Sequence, residues 1–169
     1  MKNGLLSVRF AVARMLTLMV VALSSAQVSA TNMEFSGTLI DPPPCVVNGG
    51  SMIDVAFGKN LGVNKIDGIN YTQVVPYRVI CDGTNTSLDL GLTIVSVSVT
   101  SFDPAAIQTN IPDLGIRLLK DGAPFALNTR ISYDSNNPPV LQAVPVQAVG
   151  ATLSEGDFEA TATLLVDYQ

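Results

Sequence analysis

The sequence predicts an all-β fold, an immunoglobulin-like β-sandwich that carries one disulfide. Three observations carry that prediction. Short apolar segments rich in β-branched residues alternate with Pro- and Gly-containing turns from Thr31 onward, which is the pattern of a sandwich and not of amphipathic helices. Two cysteines, Cys45 and Cys81, follow a leader of the export type. The segment Phe158 to Tyr168 keeps one face apolar at six alternate positions, a pattern that calls for a partner strand on each side of it.

The leader comes first. Lys2, Arg9 and Arg14 flank or precede the apolar run Met15 to Leu23, and small residues end in Val28-Ser29-Ala30. This is the layout of a secretory signal peptide over residues 1–30. Cleavage after Ala26 is the alternative, since Ser24-Ser25-Ala26 offers small residues at the same spacing. An apolar run of about nine residues falls short of the roughly 20 that span a bilayer, so no membrane span is expected to be retained.

Beyond Ala30, 139 residues suit one domain. They hold six basic residues against fourteen acidic ones, a net charge of −8, which argues against nucleic acid or anionic lipid as a partner. In an oxidising compartment Cys45 and Cys81 are expected to form a disulfide. With no histidine and only two thiols, 36 residues apart, neither a metal site nor a cofactor is expected.

Strands are expected at Glu34 to Ile40, Met52 to Phe57, Val74 to Cys81, Leu88 to Thr100 with a break, Leu114 to Lys120, Val140 to Val149 and Phe158 to Tyr168. Pro42-Pro43-Pro44, Asp82-Gly83, Asp121-Gly122 and Asn136-Asn137-Pro138-Pro139 supply the turns between them. About seven short strands at this spacing favour the immunoglobulin type of sandwich over a closed barrel.

Both ends of the exported chain invite a functional reading. Phe158, Ala160, Ala162, Leu164, Val166 and Tyr168 share one face of the last strand, opposite Glu159, Thr161, Thr163, Leu165 and Asp167. Such a strand belongs in a core. Either earlier strands flank it on both sides, or its outer edge is open and accepts a strand from another protein. At the other end, Met33, Phe35, Gly37 and Leu39 alternate with Glu34, Ser36, Thr38 and Ile40. That segment is either a first strand of the same sandwich or a donor strand that leaves its own domain.

Catalytic chemistry finds no footing. Histidine is absent, both cysteines are committed, and Asp54, Asp67, Asp82, Asp89, Asp103, Asp113, Asp121 and Asp134 are scattered, mostly beside turn residues. The chain is read as a non-enzyme.

Several segments, in this order, resemble a known family. They are Phe35-Ser36-Gly37-Thr38-Leu39-Ile40-Asp41 leading to Pro44-Cys45, then Val55-Ala56-Phe57-Gly58 and Pro76-Tyr77-Arg78-Val79-Ile80-Cys81. Leu114-Gly115-Ile116-Arg117-Leu118-Leu119 follows, and Gly156-Asp157-Phe158-Glu159-Ala160-Thr161-Ala162-Thr163-Leu164 with Val166-Asp167-Tyr168 closes the chain. The sequence is similar to pilins of the chaperone-usher pathway, particularly the small minor and tip subunits of P-type and related fimbriae. The resemblance implies an incomplete immunoglobulin-like sandwich lacking its final strand, with a periplasmic chaperone that lends a strand, an outer-membrane usher, and neighbouring fimbrial subunits as partners. It implies export through the periplasm to a cell-surface fimbrium that supports adhesion.

Carried over by the resemblance, Met33, Phe35, Gly37 and Leu39 would be the donor strand, within an extension at residues 31–44. Gly156, Phe158, Ala160, Ala162, Leu164, Val166 and Tyr168 would form the acceptor groove and chaperone contact of a pilin domain at 45–169. The 14 residues before Cys45 match the short extensions of minor, adaptor or tip subunits. The alternatives are a glycan-binding adhesin subunit, or a secreted sandwich that completes its own sheet.

Overall fold

The computed structural model describes residues 31–39, 44–82 and 89–168. The expected leader, the stretch from Ile40 to Pro43, the stretch from Gly83 to Leu88 with half of the expected Asp82-Gly83 turn, and Gln169 lie outside these. The chain divides into two units at Leu39. In the first, residues 31–39 form no strand and every side chain is exposed, which corrects the expectation of a strand from Glu34 to Ile40. The alternation is there, but it engages no ladder.

The second unit holds ten strands: β1 Cys45–Val47, β2 Gln73–Val74, β3 Val79–Cys81, β4 Leu90–Val95, β5 Ala106–Gln108, β6 Leu114–Lys120, β7 Ala123–Pro124, β8 Ile131–Ser132, β9 Leu141–Gln147 and β10 Thr163–Tyr168. Every pairing between them is antiparallel. One sheet runs β10-β4-β8, a second runs β2-β9-β6-β5 with β7 beside β6, and β1 pairs with β3 alone. Leu92 and Ile94 of the first sheet share a buried core with Ile107, Ile116, Leu118, Leu141 and Ala143 of the second. Two antiparallel sheets enclosing one apolar layer make the expected all-β sandwich.

Local sequence explains the long elements. In β6, Ile116 and Leu118 face the core while Arg117 points the other way. Asp121 and Gly122 then turn the chain with φ of 51° and 82°, and Lys120 pairs with Ala123 across them. Two consecutive positive φ values are what a tight hairpin needs, and Asp-Gly supplies them at little cost. In β9, burial hardly alternates, because Val144 and Val146 pack with Ala106 and Phe102 on the outer face of the sheet. Pro145 is tolerated there because Leu141, of the same parity, accepts from Val75. Pro145 therefore faces the β2 edge, two residues beyond the last pairing, Gln73 with Ala143.

Cys45 and Cys81 stand directly opposite one another in the β1–β3 pairing and are disulfide-bonded, with Cα atoms 4.0 Å apart. Among the described residues no helix is long and apolar enough to cross a membrane, and no cluster of His, Cys, Asp or Glu is arranged to hold a metal ion.

Four further strand expectations need correction. Met52 to Phe57 has no ladder, and Phe158 to Ala162 has none either, so the last strand begins only at Thr163. Val74 to Cys81 is two short strands, β2 and β3, and Leu88 to Thr100 reduces to β4 plus an isolated bridge from Val99 to Ile107. Asp103 does more than turn the chain. It is buried, accepts from the Ala105 amide, and pairs with the Arg117 guanidinium.

Candidate functional site

The site is built around β10. Its partner β4 sets the directions of the backbone groups. The carbonyls of Leu90 and Ile94 accept from the amides of Tyr133 and Asn128, at 2.7 and 2.8 Å, on the β8 side. Alternate residues of a strand aim their bonding groups at opposite edges. Gly91, Thr93 and Val95 therefore serve β10, where they stand opposite Asp167, Leu165 and Thr163.

By the same alternation Leu164, Val166 and Tyr168 direct their N–H and C=O groups to the outer edge of β10. Among the described residues no strand pairs there. β1 comes near, with Cα atoms within 8 Å, but its ladder is with β3.

Side chains reinforce the asymmetry. Leu164 and Val166 pack on the core yet stay half-buried. The N-terminal continuation keeps the pattern without a ladder: Phe158 and Ala160 touch the core and Glu159 and Thr161 are exposed. Ala162 is exposed and Tyr168 half-buried, so the six-residue apolar face is covered unevenly along its length. Gly156 lies just before it, exposed, at φ 151°.

A second segment behaves alike. Ile53, Val55 and Phe57 are half-buried while Met52, Asp54 and Ala56 are exposed, and no residue from Ser51 to Gly58 joins a ladder. Val55 and Phe57 lie against the same core as Phe158. The rings of Phe57 and Phe158 meet with centroids 5.9 Å apart and tilted by 43°, within the separation at which aromatic pairs interact. Between these two segments opens a cleft of about 1110 Å³, floored by Val55, Phe57, Leu61, Ile66, Ile111 and Phe158. Asp54, Glu155 and Asp157 make most of its charge, against Lys59.

Two polar side chains fix this wall, and the sequence pointed to neither. The Asn110 carboxamide donates from Nδ2 to the Asp157 carbonyl at 3.1 Å and accepts at Oδ1 from the Glu159 amide at 2.8 Å. Arg130 donates from Nε to Asp167 Oδ1 at 2.8 Å and from Nη2 to the Asp89 carbonyl at 3.0 Å. Its guanidinium lies over Gly91, where a Cβ would come within 2.1 Å of it. No local signal marks either residue, because their partners are 37 to 49 positions away.

Of the expected donor residues, Met33, Phe35 and Leu39 are 79, 86 and 100% exposed, and a Cβ at Gly37 would meet nothing within 4 Å. The three apolar side chains are thus exposed, like every other residue of the segment.

A family model described as "Fimbrial protein" matches residues 33–169. The uncharacterized fimbrial-like protein YfcQ of Escherichia coli strain K12 is 41% identical over 158 residues, covering 91% of this chain and 97% of that protein. The uncharacterized fimbrial-like protein YfcR of the same strain is 36% identical over 175 residues, covering the whole of both. Among solved structures, the P pilus adaptor subunit PapF superposes with a TM-score of 0.55 at 23% identity, over 76% of this chain and 98% of that one. The P pilus rod subunit PapA gives 0.57 at 21% identity, over 82% and 100%. These two likenesses establish the pilin type of sandwich.

Proposed function

The chain belongs to the fimbrial protein family, and we propose that it is a structural, non-catalytic subunit of a bacterial surface fimbria, assembled by exchanging β-strands. The observation that carries this reading is the outer edge of β10. Leu164, Val166 and Tyr168 offer backbone groups there to no described strand, beside apolar side chains only half covered. An incoming strand would satisfy the backbone and bury the side chains in one step.

In this reading a periplasmic chaperone supplies that strand during export, an outer-membrane usher receives the complex, and the leading segment of a neighbouring subunit replaces the chaperone. Gly156 to Tyr168 form one wall of the acceptor groove. Met33, Phe35, Gly37 and Leu39 are the strand this chain donates in turn, within the extension 31–44 exposed once the leader 1–30 is removed. The short segment between the expected cleavage and Cys45 fits a minor, adaptor or tip subunit of a fimbria used in adhesion. PapF, an adaptor subunit by description, has the same type of fold.

The energies are of the right size. Burying Phe35 and Leu39, nearly fully exposed here, contributes about 1.5 to 3 kcal/mol each. A domain's net stability is about 5 to 15 kcal/mol, so one strand decides whether this one stays folded. Adding a synthetic peptide of residues 31–41 to the exported chain is expected to raise its melting temperature by about 10 °C. Identical melting with saturating amounts of this peptide and of the corresponding leading-segment peptides of the fimbrial subunits encoded beside it refutes the reading.

A further inference from the structure

We infer that Asn110 is a positioning residue for strand acceptance, one that holds the leading end of the β10 wall in register before a donor arrives. This rests on the strand-exchange reading above and adds a residue to it. Three observations carry it.

The first is the bonding pattern. Asn110 engages the carbonyl of Asp157 and the amide of Glu159, the residues on either side of Phe158. One donor and one acceptor reaching the groups that flank a residue is what a neighbouring strand in a parallel ladder provides. The carboxamide therefore replaces one rung of a strand.

The second is which edge it serves. Burial alternates in phase from Phe158 to Val166, broken only at the small Ala162. Asp157 and Glu159 thus share the β4-facing edge with Thr163, Leu165 and Asp167. β4 has ended at Val95, and Asn110 stands in for it. Among the described residues no strand pairs with the opposite edge, where the backbone groups of Phe158 and Ala160 lie.

The third is that Asn110 is presented rigidly. Gln108 Nε2 donates to the carbonyls of Thr109, Ile111 and Leu114. The buried Thr109 hydroxyl engages Ile111 and Leu114 as well. Ile111 and Leu114 are themselves buried against Phe158 and Leu153. A side chain fixed on such a loop can hold a partner's geometry in a way that a free surface amide cannot.

A wall already in register when the donor arrives should speed capture. Once a donor ladder holds the same segment from the other edge, Asn110 becomes redundant. The test uses a dye-labelled peptide of residues 31–41, with its on-rate on the exported chain read by stopped-flow anisotropy and its off-rate by chase with unlabelled peptide. Asn110→Ala is expected to slow capture about tenfold, the equivalent of about one net hydrogen bond, and to leave the off-rate unchanged. Asn110→Asp is expected to be slow at pH 7, because a carboxylate cannot donate to Asp157 and sits among Asp157 and Glu159. At about pH 4, well toward the ordinary carboxyl range, the protonated side chain both donates and accepts like the amide. Capture should then recover toward the native rate at that pH.

An unchanged on-rate in both variants overturns the assignment. Parallel changes in on-rate, off-rate and melting temperature also overturn it, because they describe a residue that only stabilises the fold. So does failure of both variants to fold even with saturating peptide. Where the native chain captures only a neighbouring subunit's leading-segment peptide, that peptide is the probe for both variants; a native chain that captures neither refutes strand exchange itself and is recognisable as that separate outcome.

Discussion

Gly91 and Arg130 should be energetically inseparable. The three atoms nearest to a Cβ at Gly91 all belong to the Arg130 guanidinium, at 2.1 to 2.4 Å, so Gly91→Ala forces the arginine out. What is lost is the Nε bond to Asp167, the Nη2 bond to the Asp89 carbonyl and the packing of the guanidinium on the strand. The Arg130 side chain is 23% exposed, Asp167 44% and Asp89 64%. Solvent screens much of the charge, and the distant contact to Asp89 Oδ2, at 3.9 Å, contributes almost nothing. Counting about one charge-assisted bond net of hydration, Arg130→Ala should cost about 1 to 2 kcal/mol, or about 3 to 8 °C in melting temperature. Gly91→Ala should cost a similar amount by eviction. In the Arg130→Ala background, however, Gly91→Ala should be neutral or slightly stabilising, because alanine restricts the unfolded chain more than glycine does. Thermal melts of the peptide-saturated chain close the cycle, with an expected coupling of about 1 to 2 kcal/mol. Simple additivity of the two substitutions refutes the placement of Arg130 over β4.

Two other consequences are testable directly. Replacing Cys45 and Cys81 by serine removes a cross-link between residues 36 apart, and denaturant titration should show about 3 to 4 kcal/mol less stability; a loss under 1 kcal/mol means the unfolded chain is not restrained by it. Tyr77 is pushed up to about 12, first by burial and then by the nearby Tyr133 and Asp121, while its hydroxyl donates to the Pro139 carbonyl at 2.7 Å. Unfolded chains release that proton near 10.0, before the folded ones do, so stability should be intact below pH 10 and fall as pH rises toward 12. Tyr77→Phe should flatten that slope, and an unchanged slope excludes Tyr77 as its source.

Where side chains alone decide structure, the sequence was sufficient. β6 is read residue for residue from Leu114 to Lys120 because its core-facing positions and the Asp121-Gly122 turn agree. β9 comes within two residues at each end, although its two-faced burial erases the alternation. The family resemblance held as well, matched by the fimbrial family over residues 33–169. The short elements β5, β7 and β8, of two or three residues, are too brief for any period to register.

The over-read segments are more instructive than the missed ones. Glu34 to Ile40, Met52 to Phe57 and Phe158 to Ala162 all have the composition and period of strands, yet none of their described residues carries a ladder. In two of the three the faces were nevertheless right: Val55, Phe57, Phe158 and Ala160 do rest on the core. Periodicity reports which side of a segment seeks apolar surroundings, and that preference belongs to the segment itself. A ladder belongs to a pair, and Asn110 and Arg130 belong to longer-range pairs still, so no local pattern encodes them. Strand-like sequence that is half-buried without being paired breaks the usual agreement between local preference and tertiary structure, and breaks of that kind concentrate at functional sites. The conflict falls on the two segments that face each other across the Phe57–Phe158 contact and line the cleft. That is where a borrowed strand would bring local preference and tertiary structure back into agreement.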